Sequence, residues 1–73
     1  MSKQRIPGRG DVYESMGCRC RVLRVSLLPS VKYPHGWADL SVQHLGSGVR
    51  WRKRQPLPFA ESFTFLHAVG DEP

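Results

Sequence analysis

Four cations and an indole occupy five consecutive positions in this chain, Arg50-Trp51-Arg52-Lys53-Arg54, and Arg19 and Arg21 repeat the same i, i+2 spacing earlier. Guanidiniums spaced this way donate paired, charge-assisted hydrogen bonds, so the chemistry they offer is recognition of carboxylates or phosphates. The residues expected to meet a partner are therefore Arg50, Arg52, Arg54 and Lys53, with Arg19, Arg21 and the loop aromatic Tyr33. Trp37 and Trp51 could add stacking platforms for bases or simply fill a small core. The other reactive side chains point nowhere in particular. Cys18 and Cys20 would lie about 7 Å apart on one face of a strand, too far for an unstrained disulfide at its usual Cα separation of about 5.5 Å. They are expected to be free thiols. His35, His44 and His67 are scattered and do not complete a zinc-ligand pattern with them. No nucleophile elbow, phosphate-cradling glycine loop or paired carboxylate is present, so the chain is expected to bind rather than catalyse, with neither metal nor cofactor.

Charge placement sharpens this expectation. The net charge is +5, but between Arg19 and Arg54 eight basic side chains stand against Asp39 alone, while the other acids lie nearer the ends. Such a field attracts anions and makes binding sensitive to salt. With 73 residues there is room for one domain, which buries only about 60% of its unfolded surface and leaves no depth for a substrate cavity. Seven glycines and six prolines imply frequent turns and disfavour long helices. No apolar run is long enough to span a bilayer and no signal-peptide core is evident, which predicts a soluble, cytoplasmic protein with no membrane contact.

The elements that must hold these residues read as short strands. Residues 1–10 form a basic arm without periodicity, expected to be flexible, residues 11–68 a single β-rich domain, and residues 69–73 a frayed acidic end. Val12 and Tyr13 suit a short first strand. Residues 18–28 make the longest candidate, whose alternation changes phase: Cys18, Cys20 and Val22 share one face, but Leu23, Val25 and Leu27 share the other. A one-residue bulge near Val22 and Leu23 would bring both sets to one core. Residues 29–36 form a loop, and 37–45 alternate cleanly with Ala38, Leu40 and Val42 inward. A Gly46-Ser47-Gly48 turn then pairs that strand with 49–54 in a hairpin. On it Val49 and Trp51 are expected to face the core and Arg50, Arg52 and Arg54 the opposite side, with Lys53 snorkelling. Pro56 and Pro58 end the strand, a helical turn is expected over 56–62, and Phe63 and Phe65 mark the last strand.

The predicted fold is mainly β, a small antiparallel sheet or SH3-like barrel of about five short strands, with an open four-stranded antiparallel sheet covered by a loop or helical turn as the alternative. Its order resembles barrels of the KOW and Tudor kind, which implies a module binding nucleic acid directly through the arginine row. In length, basic character, β-rich pattern and lack of enzyme motifs, the whole chain also resembles the small phage-encoded inhibitors of host RNA polymerase, as found in a phage of Xanthomonas. This second resemblance rests on overall character rather than on an aligned motif, so no residue role is carried over from it. It implies a monomer that binds the N-terminal part of the bacterial RNA polymerase β′ subunit near the RNA exit channel, inhibits initiation and permits antitermination. The cationic face would then lie near nascent RNA or an acidic polymerase surface.

Overall fold

The computed structural model of the protein describes residues 6–68. Five strands, β1 (Val12–Ser15), β2 (Cys18–Ser26), β3 (Trp37–His44), β4 (Arg50–Pro56) and β5 (Thr64–His67), form one antiparallel sheet. Their spatial order is β4-β3-β2-β1-β5. The first four strands therefore pair with their sequence neighbours, β1 through β4, and β5 returns across the sheet to lie beside β1. The two edges are β4 and β5, and no helix occurs among the described residues.

The phase change in β2 is a bulge. Val22 pairs with Leu40 and Arg24 with Asp39, so Leu23 is the extra residue. Beyond it Val25 is packed against the core beside Cys20 and Val22. Leu23 itself stays on the opposite face, and Leu27, past the strand end, is exposed. Residues before β1 are tied to this bulge: the Gly10 amide donates to the Val22 carbonyl at 2.8 Å, and the Val22 amide to the Asp11 carbonyl at 2.9 Å. Pro7 is buried and the Gly8 amide donates to Asp11 Oδ2 at 2.8 Å. The predicted flexible arm thus has an anchored portion, while residues 1–5 and the predicted acidic end at 69–73 lie outside the described residues.

The core fills one face of the sheet. Tyr13, Cys20, Val22, Ala38, Leu40 and Val42 come from β1, β2 and β3, and Leu57 and Phe59 come from the segment after β4. Tyr13 meets Phe59 edge-on with centroids 4.9 Å apart, and Phe59 stacks on Phe63 at 4.7 Å. The connector between β4 and β5 is therefore the lid of this core, held at one end by the Leu57 amide donating to the Gly36 carbonyl. Cys18 and Cys20 are free thiols, and burial raises the pKa of the Cys20 thiol above the ordinary value.

Besides Leu23 and Leu27, which do not join the core, two further expectations need correction. The helical turn over 56–62 is absent: β4 continues to Pro56, and the chain then bends through Leu57 and Pro58 into a turn at Glu61 and Ser62. Prolines at 56 and 58 remove two amide donors and push their predecessors towards extended conformations, which leaves a helix no start. Val49 and Trp51 are not core residues, with 57% and 41% of their surface exposed. Trp51 pairs with Val42 and so lies on the core side of the sheet, as alternation requires. It stays open because β4 is an edge strand and the aromatic lid closes over Tyr13 instead.

A candidate anion-binding face

The face opposite the core is built by three strands in register. Antiparallel pairing aligns Arg19 with Gln43 and Gln43 with Arg50, then Arg21 with Ser41 and Ser41 with Arg52, then Arg24 with Asp39 and Asp39 with Arg54. The result is three cross-strand rungs of arginine, central residue, arginine. Neighbouring strands lie about 4.8 Å apart and alternate residues about 7 Å apart, so the arginine backbones of a rung stand about 10 Å apart and successive rungs about 7 Å. The bulge makes the third rung possible. In a regularly alternating strand Arg24, two residues after Val22, would fall on the core side with it.

The third rung is closed by its own carboxylate. Arg54 Nε donates to Asp39 Oδ1 at 2.7 Å and Arg24 Nη2 to Asp39 Oδ2 at 2.8 Å, with two further bonds at 3.2 and 3.3 Å. The Arg54 guanidinium lies 3.6 Å from the centroid of the Trp37 ring, and that of Arg24 is 5.7 Å away. The hydrogen bonds from Arg54, reinforced by those from Arg24, lower the Asp39 pKa to about 2, and the same bonds raise that of Arg54. A carboxylate depressed in this way stabilises the fold fully above its unfolded pKa of about 3.9 and loses that contribution as pH falls through about 2. Acid titration of the wild type is therefore expected to show a loss of stability between pH 4 and 2 that Asp39→Asn lacks. Identical acid profiles for the two proteins would refute this linkage.

The other two rungs hold neutral centres. Among the described residues Arg50 and Arg52 make neither an ion pair nor a side-chain hydrogen bond. Arg19 reaches Glu14 only at 3.8 Å, both being exposed, a pairing of little energetic weight. A shallow depression of about 360 Å³ opens here, floored by Val12 and Leu23 and walled by Arg19, Arg21 and Arg50. A second, of about 590 Å³, runs past Arg52 towards the third rung and is bordered by Arg9 from the anchored arm.

Of the residues expected to meet a partner, Arg19, Arg21, Arg50, Arg52 and Arg54 share this face. Lys53 does not: it pairs with Leu40 on the core side, and its ammonium lies 5.8 Å from the centroid of Phe63. Tyr33 sits in the loop before β3, half-buried, with Lys32 over its ring, and its carbonyl accepts from the Ser30 and Gly36 amides. Arg24, Asp39, Ser41 and Gln43 are the members of the face not anticipated as contact residues, and the phase change of β2 already implied Arg24. The histidines do not converge. His44 Nδ1 accepts the Ser47 amide at 3.1 Å within the β3–β4 turn, and no group of metal-binding side chains occurs among the described residues. No helix among them is long and apolar enough to cross a membrane. No protein-family model, curated protein or solved structure matches the chain.

Proposed function

We propose that the protein is a phage-type regulator of transcription that binds bacterial RNA polymerase at the N-terminal region of β′ near the RNA exit channel, inhibiting initiation and permitting antitermination. The observation that carries this reading is the two-sided exposure of the β3–β4 hairpin. One side of β4 offers Arg50 and Arg52, and the other offers Trp51 to solvent, with Leu45 and Val49 exposed in the connection between β3 and β4. An exposed tryptophan beside arginines is the composition of an interface hot spot rather than of an inert surface. The resemblance to phage-encoded polymerase inhibitors supplies the partner, and the cationic charge suits an acidic protein surface or RNA leaving the enzyme. As an edge strand, β4 also has backbone groups available to a partner.

Retention of RNA polymerase by the immobilised protein tests this reading. The wild type is expected to hold the enzyme at physiological salt, and Trp51→Ala and Arg52→Ala each to weaken retention about tenfold, as interface anchors do. Trp51→Ala should lower stability by only about 1 kcal/mol, because the indole is half-exposed, and Arg52→Ala by less than about 0.5 kcal/mol. A folded wild type that retains no polymerase would overturn the proposal. The second reading, an SH3-like module acting on nucleic acid directly through the arginine row, is favoured by Arg50 and Arg52, which have no ion pair among the described residues, and needs no polymerase for binding.

A further inference from the structure

We infer that the free edge of β4 takes an extended acidic segment of a partner protein as an added strand, with carboxylates opposite Arg50 and Arg52 and an apolar side chain opposite Trp51. The inference rests on the proposed function only in taking the β3–β4 hairpin as the contact element. It adds the chemistry of the segment that the hairpin receives.

The register fixes which backbone groups of β4 are already used. At one end of the ladder the His44 amide donates to the Val49 carbonyl at 2.9 Å, and at the other the Leu57 amide donates to the Gly36 carbonyl at 3.0 Å. Both bonds fall in phase with the pairs Val42–Trp51, Leu40–Lys53 and Ala38–Gln55. In an antiparallel pair only alternate residues exchange hydrogen bonds, so Trp51, Lys53 and Gln55 turn amide and carbonyl towards β3. Arg50, Arg52 and Arg54 turn theirs outward, and with β4 at the edge of the sheet no strand meets them. The residues from Arg50 to Arg54 are all exposed. Pro56 occupies the next outward position, where its missing amide costs the ladder nothing, and it closes the free edge. The open run therefore spans Arg50 to Arg54.

Side chains then select the partner. An added strand lies about 4.8 Å from β4 and repeats its facing with the same period of about 7 Å. Its residues opposite Arg50 and Arg52 therefore share the arginine side, and the one between them meets Trp51. Arg50 and Arg52 have no ion pair or side-chain hydrogen bond among the described residues, and unlike charges directly opposed stabilise a cross-strand pair. Arg54 is held by Asp39 and contributes its backbone alone. Trp51, 41% exposed, gains cover from the residue between the two carboxylates. The same charges exclude a second copy, because β4 laid on β4 sets arginine against arginine, one of the ways an edge is kept from pairing with itself. A nucleic-acid backbone is also a poor complement to the edge: its phosphates accept but do not donate, so the outward carbonyls stay unmet.

Amide hydrogen exchange read by NMR tests the inference, with three probes: the end-capped peptide Gly-Glu-Val-Glu-Val-Glu-Gly, its isomer Gly-Val-Glu-Glu-Glu-Val-Gly with the charges clustered, and oligo-uridylate. In the free protein the amides of Trp51, Lys53 and Gln55 should exchange slowly and those of Arg50, Arg52 and Arg54 fast. The alternating peptide should slow the latter about tenfold when present at about ten times its Kd. The clustered isomer, of equal charge, should bind about threefold or more weakly. Arg52→Glu, with its fold checked by thermal melting, should weaken the alternating peptide about tenfold and recover binding when the central glutamate of the peptide is replaced by lysine. Binding that leaves the Arg50, Arg52 and Arg54 amides unprotected, or equal affinity for the two peptides, overturns the inference, since charge alone then accounts for it. Greater protection by oligo-uridylate overturns it in favour of nucleic acid, and protection that rises with protein concentration alone does so in favour of a second copy. If polymerase is retained but the alternating peptide neither binds nor protects, this inference fails while the proposed function stands. If the peptide protects β4 while polymerase is not retained, the strand addition stands and the proposed function falls. Loss of both kinds of binding removes both.

Discussion

Replacing Gly36 with alanine is expected to lower the melting temperature by more than about 12 °C, the shift for a domain of this size that loses about 3 kcal/mol. Gly36 has φ of 91°, and a Cβ there would lie 2.2 Å from the Ser26 carbonyl oxygen and 3.0 Å from the Leu27 Cα. Both obstacles are backbone, so no side-chain rotation relieves them. Positive φ alone costs an L-residue about 1–2 kcal/mol. The remainder comes from pushing the loop away from the end of β2, at a point that also holds two hydrogen bonds. The Gly36 amide donates to the Tyr33 carbonyl, and the Gly36 carbonyl accepts the Leu57 amide, joining the loop to the core lid. Gly48→Ala is the control, since Gly48 has φ of 76° but nothing within 4 Å of the added methyl. That variant should show the conformational cost without the collision. Melting followed by circular dichroism compares them, and equal shifts for the two would show that the close approach at Ser26 contributes nothing.

The closeness of Gly36 to Ser26 depends on how loops pack across the sheet, which is why the local sequence announced a turn there but not its importance. Legibility divides along the same line elsewhere. The alternation in 37–45 placed Ala38, Leu40 and Val42 inward because that period depends only on neighbouring residues. The phase break in β2 predicted the bulge at Val22 and Leu23 for the same reason. Alternation on β4 also assigned the sides correctly, with arginines on one and Trp51 on the other, but it could not say what covers each side. Coverage depends on strand order, and with β4 at an edge Trp51 stays 41% exposed. The rungs were legible only in part. Arg19, Arg21, Arg50, Arg52 and Arg54 stood out by charge and spacing, whereas the pairing of Asp39 with Arg24 and Arg54 follows from a cross-strand register about fifteen residues apart in sequence. The lid was misread as a helical turn because Leu57 and Phe59 lack a strand's length. Their burial comes from facing Tyr13 across the core.

Leu40→Ala is expected to remove about 3 kcal/mol, within the range of about 2–5 kcal/mol for a fully buried leucine. Leu40 is 0% exposed on β3, between Val22 of β2 and Lys53 of β4, at the centre of a small core. A 73-residue domain has a total stability of about 4–11 kcal/mol, so one such cavity takes a large share of it. The loss should be severe because the site cannot collapse: β3 is hydrogen-bonded on both edges and the aromatic lid is held by Tyr13 and Phe63. Urea unfolding measures it, with a lower midpoint and an unchanged slope indicating a pure stability effect. The contrast with Trp51→Ala then assigns structure and binding to different strands of one hairpin, β3 and β4. Leu40→Ala should lose polymerase retention only in proportion to the unfolded fraction and recover it when an osmolyte restores the fold, whereas Arg52→Ala and Trp51→Ala stay folded and weak in binding. A stability loss below about 1 kcal/mol in Leu40→Ala would mean that the core relaxes around β3. Full retention by an unfolded Leu40→Ala chain would mean that the linear run from Arg50 to Arg54 suffices, and that the register across β2, β3 and β4 plays no part in recognition.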